Sequence, residues 1–136
     1  MPCAHLFLVA LLLMPAACAR ATAGVALQQA DRVVLIEQRK DEVVAQLADC
    51  ESGPGEGHGS RYLGRFQFEP GTVIAFVKQR DGRTITPQEA LAIARDYGQA
   101  SALAKYIIFE RDGASHWPAC GHKIGLRRQV AEIRAL

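Results

Sequence analysis

The sequence lacks a strong charge of either sign. Its 16 Lys and Arg nearly balance 14 Asp and Glu, for a net charge of +2 over 136 residues. Such a chain has no basic footprint for a nucleic acid and no polybasic patch for an anionic membrane. It also lacks a run that could span a bilayer, because its one long apolar stretch, Leu6 to Met14, is far short of the roughly 20 residues needed. Cysteine is scarce: Cys3, Cys18, Cys50 and Cys120 are the four. Neither Cys50 nor Cys120 has a second Cys or His at zinc-ligand spacing, and His122 after Cys120 stands alone. His58 with Glu51 and Glu56 makes too loose a set for a metal, so no metal and no cofactor are expected. Repeats and low-complexity segments are missing as well. One domain is therefore expected, monomeric and without a nucleic-acid partner.

What is present begins with a leader. The apolar run is followed by Ala21-Thr22-Ala23, a small-x-small cleavage pattern. Residues 1–23 therefore read as a secretory signal peptide and 24–136 as the mature domain, secreted or held in the periplasm or cell envelope. No Lys or Arg precedes the run, and Cys18 after Pro15-Ala16-Ala17 offers a lipid anchor as the other reading. Cleavage removes Arg20 alone among the Lys, Arg, Asp and Glu residues and leaves 113 residues with a net charge of +1. Only Cys50 and Cys120 then remain. In an exported protein two such cysteines are expected to be joined, with two buried thiols as the alternative. Closing a loop of that length stabilises a small domain by about 4 kcal/mol in the chain-entropy account.

Along the mature chain, residues 24–30 read as a frayed lead-in. From Asp31 the apolar residues Val33, Val34, Ile36, Val43, Val44, Leu47 and Ala48 recur at helical spacing, with Lys40-Asp41 either a break or the middle of one helix ending at Cys50. The stretch from Gly53 to Ser60 is dominated by glycine and cannot continue it. Residues 61–68 alternate and hold three aromatics, as a strand or half of a small hairpin does. Pro70 opens a helix that Asp81-Gly82 ends. Thr86-Pro87-Gln88-Glu89 carries a cap, an N1 proline and a capping box. Gly98 marks a break before a helix with Ala102, Leu103, Tyr106 and Ile107 inward, and Gly113 stops it. Leu126 to Leu136 is the last helix, with Val130 and Ile133 inward. The sum is an α+β domain, mainly helical, with one small β-element.

Glu51 sits at the expected helix end. The negative pole of the helix dipole disfavours its ionised form. Burial against Tyr62, Phe66 or Trp117 acts in the same direction. A carboxylic acid kept protonated near neutral pH is what glycosidic cleavage needs, since it delivers a proton to the leaving oxygen.

Three segments carry a resemblance: Cys50-Glu51-Ser52-Gly53, then Tyr62-Leu63-Gly64-Arg65-Phe66-Gln67-Phe68, then Trp117-Pro118-Ala119-Cys120-Gly121. In that order, across residues 43 to 126, the chain resembles the transglycosylase-like domain of resuscitation-promoting factors. More broadly it is similar to the lysozyme-like superfamily of lytic transglycosylases and goose-type lysozymes. The resemblance implies a lysozyme-like domain with a small β-hairpin beside the catalytic helix end. It implies Glu51 as the single catalytic acid and a disulfide from Cys50 to Cys120. The implied substrate is peptidoglycan, cut between N-acetylmuramic acid and N-acetylglucosamine. After proton transfer the glutamate deprotonates either the muramic 6-hydroxyl, giving an anhydro product, or a water, which makes the enzyme a muramidase. Asp49, Glu56 and Glu69 are the candidates for a second carboxylate, each better explained as solvated.

The resemblance makes Gln67, Tyr62, Ser52 and Trp117 candidate substrate-binding residues. Their structural alternatives are an exposed strand residue for Gln67, core packing for Tyr62 and Trp117, and a local cap for Ser52. Arg65 reads as a surface charge or a contact for muramyl-peptide carboxylates. The chain departs from the family in lacking tryptophans before Cys50, in the 53–60 loop and after Phe68; Trp117 is its only one. That departure motivates a third reading, a non-catalytic wall-binding module.

Overall fold

Alanine and long charged side chains, all good helix formers, dominate the segment before Cys50 and outweigh its five valines. Accordingly α1 runs unbroken from Ala16 to Glu51 in the computed structural model, which describes residues 16–52 and 61–136. The lead-in expected over 24–30 is helical, and Lys40-Asp41 is mid-helix rather than a break. Of the leader expected over residues 1–23, residues 1–15 lie outside the described residues.

The chain divides into two units, residues 1–35 and 36–136. The described part of the first is the N-terminal stretch of α1, where Val33 and Val34 are 52% and 56% exposed. In the second, Val43, Val44, Leu47 and Ala48 are buried, as their i, i+3, i+4 spacing requires. α2 (Pro70–Asp81) begins on its proline and ends at Gly82, whose φ of 70° gives the left-handed C-cap. α3 (Pro87–Arg95) has the full capping box: Thr86 Oγ1 accepts from Glu89 N at 3.2 Å, and Thr86 N donates back to the Glu89 carboxylate at 2.7 Å.

α4 (Tyr97–Lys105) continues into a π-turn over Tyr106–Glu110. The break before α4 is at Asp96, not Gly98. Asp96 ends α3 and caps α4, its carboxylate accepting from Gln99 N at 2.8 Å. The wider π-turn places consecutive Ile107 and Ile108 both inside, while Ala102, expected inward, is exposed. Gly113 follows where a Cβ would meet Ile107 Cγ2 at 2.4 Å. A 3₁₀ turn (Ala114–His116), α5 (Pro118–Lys123) and α6 (Leu126–Arg134) complete the unit. α6 buries Leu126, Val130 and Ile133, the face read from the sequence. Lys105 of α4 pairs with Glu37 at 3.4 Å and with Asp41, both on α1.

The strand expected over 61–68 is not present. Among the described residues the only β feature is one antiparallel bridge, Leu63 with Phe68, closed by a turn of four residues. The turn is possible because Gly64 and Gln67 take left-handed conformations, φ 64° and 50°. It also lets Phe66 and Phe68 both face the core. The fold is thus mainly helical with a single disulfide. Among the described residues no helix is long and apolar enough to cross a membrane.

Candidate functional site

The last turn of α1 carries Asp49, Cys50 and Glu51. It ends where Ser52 folds back, its N–H and Oγ both donating to Ala48 O at 2.9 and 2.7 Å. Ser52 thus caps the last turn of α1 with its own side chain. Cys50 is bonded to Cys120 of α5, with Cα atoms 5.8 Å apart. The residue beside the acid is thereby tied to a segment 70 positions away.

Glu51 is half-buried, and burial raises its pKa above the ordinary glutamate value. The unsatisfied carbonyls of the helix end act in the same sense. The Arg65 guanidinium is committed to the neighbours of Glu51. It donates to Asp49 at 2.5 Å and to Ser52 Oγ at 3.3 Å, and lies 5.0 Å from the Tyr97 ring centroid. Arg65 thus straps the Leu63–Phe68 turn to the end of α1 and occupies Asp49. Glu69 pairs with Arg61 at 2.9 Å, and Glu56 and His58 lie outside the described residues.

Gln67 is a turn residue instead of a strand residue. Its Nε2 donates to Gly64 O at 2.8 Å, closing the turn on itself. Trp117 is 3% exposed; its Nε1 donates to Phe66 O at 2.8 Å, and its ring meets Phe68 edge-on at 5.7 Å. The indole therefore fixes the turn from the core side and is almost wholly buried. Tyr62 is 46% exposed. Tyr97, which sequence reasoning passed over, is 43% exposed, and its ring stacks on Phe66 at 6.2 Å. It is the first residue of a helix, and no local pattern links it to the turn it packs against.

The structure therefore brings Asp49, Ser52, Arg65 and Tyr97 together around the helix end that bears Glu51, and places Trp117 behind them. Among the described residues no group of three or more His, Cys, Asp or Glu is placed to hold a metal ion. The chain was compared with family models, with curated proteins and with solved structures, and none of them matches it.

Proposed function

We propose that this chain is an exported, peptidoglycan-cleaving lytic transglycosylase that uses Glu51 as its single acid and base. The observation that carries the reading is the half-buried Glu51 carboxyl at the end of α1, its protonated form favoured by burial, beside a disulfide. Protonated Glu51 gives its proton to the glycosidic oxygen as the C1–O bond breaks and positive charge develops on the sugar ring. The glutamate left behind takes the proton of the muramic 6-hydroxyl, whose oxygen closes on C1. The acid is restored and a 1,6-anhydro end is formed, with no external nucleophile. The engagement of Asp49 by Arg65 and of Glu69 by Arg61 supports a single-carboxylate route. A disulfide is what an oxidising compartment such as the cell envelope permits.

A non-catalytic wall-binding module is the second reading. Burial of the sole tryptophan favours it, because the aromatic surface left near the turn is that of Tyr62 and Tyr97. Digestion of purified peptidoglycan by wild type and Glu51→Gln, with products weighed by mass spectrometry, separates the readings. Anhydromuropeptides from wild type, reduced about 10²–10⁴-fold in the variant, are expected. Reducing-end products instead make it a muramidase. Absence of cleavage with wall binding retained by Glu51→Gln makes it a binding module.

A further inference from the structure

The segments on either side of Cys120 in sequence line a concavity that does not include Glu51. The 3₁₀ turn, α5 and the start of α6 enclose a cleft of about 370 Å³, walled by Trp117, Gly121, His122, Gly125, Arg127 and Arg128. A second cleft of about 420 Å³ shares Ala114, Ser115 and Arg127 with it and reaches Asp112 and Arg134. The two clefts adjoin at these shared residues, Arg127 among them, and are taken together as one groove.

The charge of this groove is unlike that of the chain as a whole. Its lining holds Arg127, Arg128 and Arg134 against the single acid Asp112, whereas the full sequence is nearly balanced. Two of the cations are answered locally: Arg134 meets Asp112 at 3.3 Å and Arg128 meets Glu132 at 3.7 Å. Arg127 forms no ion pair among the described residues. Arg127 is exposed where it borders the clefts. One guanidinium without an ion pair matches a monoanion, and its planar fork fits a carboxylate with two parallel hydrogen bonds.

One wall of the groove, at Gly121, lies close in backbone distance to the residue that bears the acid. Gly121 on its wall is next to Cys120, whose Cα is 5.8 Å from that of Cys50, the neighbour of Glu51. With successive Cα atoms 3.8 Å apart, the Glu51 and Gly121 backbones are separated by no more than about 13 Å. An extended peptide of four residues spans about the same distance.

We propose that the groove binds the free carboxylate end of a short acidic peptide arm carried by the glycan, with Arg127 as its principal cation. The proposal rests on the reading of Glu51 as an acid that acts on peptidoglycan. It makes the groove a peptide subsite of the same substrate, and it sets a preference for chains whose peptide carboxylates are not amidated.

The test is a binding measurement that needs no turnover. The full chain carrying Glu51→Gln is titrated calorimetrically with N-acetylmuramyl tetrapeptide bearing free carboxylates, and with its amidated counterpart. The free acid is expected to bind about five- to tenfold more tightly, with the difference shrinking as salt is raised. Adding Arg127→Gln should remove the difference, while Arg127→Lys should keep part of it. Unchanged circular dichroism and melting temperature in both variants would exclude misfolding as the cause. Equal affinity for the two peptides, indifference to Arg127→Gln, or no binding of either peptide overturns the proposal. So does displacement of the peptide by inorganic phosphate about tenfold more effectively than by acetate, which would give the groove to a phosphate-bearing polymer. If wild type cleaves no wall but the carboxylate preference is found, it is the Glu51 reading that fails and the groove that stands.

Discussion

The chemistry proposed for this molecule rests on one side chain, and burial favours the protonated state that the proposal requires of it. Burial lifts the Glu51 pKa in the folded state above its ordinary value of 4.5. Between the unfolded and folded pKa values the native state binds more protons than the unfolded chain. Stability contributed by Glu51 is therefore full below the unfolded value and falls as pH rises through the folded one. Glu51→Gln has no charge to bury. It should abolish the pH slope due to this residue and melt above wild type near neutral pH, even as it loses cleavage. Melting curves of both proteins from about pH 4 to about pH 8 check this; parallel curves would mean that Glu51 titrates like a solvated glutamate. The place of Glu51 at a helix end was legible from Cys50-Glu51-Ser52 and the glycines that follow. The commitment of Arg65 to Asp49 and Ser52 was not, because a salt bridge between segments leaves no periodic trace in the sequence.

At the scale of elements, the sequence spoke most clearly where one residue dictates backbone geometry. Pro70, Gly82 and the Thr86–Glu89 capping box mark helix ends where the chain puts them. It misled where a side chain, not a backbone preference, makes the break. Gly98 drew attention, but Asp96 supplies the cap. Over 61–68 the alternation of aromatics mimics a strand, while two left-handed residues fold the same atoms into a turn that buries the same rings. That turn yields a prediction with an internal control. Gly64 and Gly82 both have positive φ, 64° and 70°, but a Cβ on Gly64 would lie 1.8 Å from Ala94 O, whereas on Gly82 it would meet nothing within 4 Å. Gly82→Ala should cost only the left-handed penalty, about 1 kcal/mol. Gly64→Ala adds a backbone collision with α3 and should cost roughly 2–4 kcal/mol, displacing Arg65 with the turn. Denaturant titrations of the two variants read the difference directly; equal losses would show that the close approach of the turn to α3 contributes nothing.

At the scale of the molecule, what joins these pieces is a bond between residues that share no element. Cys50 and Cys120 close a loop of 70 positions that contains α2, α3, α4 and the Leu63–Phe68 turn. Trp117, three residues before Cys120, reaches the same turn through the Phe66 carbonyl. The disulfide therefore fixes the residue next to Glu51, and the indole fixes the Leu63–Phe68 turn. Loop closure of this length contributes about 4 kcal/mol by restricting the unfolded chain. Domains of this size have only about 5–15 kcal/mol in total. Reduction should lower the melting temperature on the order of 20 °C as a single cooperative step. Trp117 stays buried until that step, so its fluorescence and the helical signal should be lost together. Calorimetry and fluorescence with and without a thiol reductant test the point. A shift of only a few degrees, or fluorescence changing well before the helices melt, would mean that the crosslink merely staples the end of α1 and that Trp117 with its hydrogen bond to Phe66 carries the architecture without it.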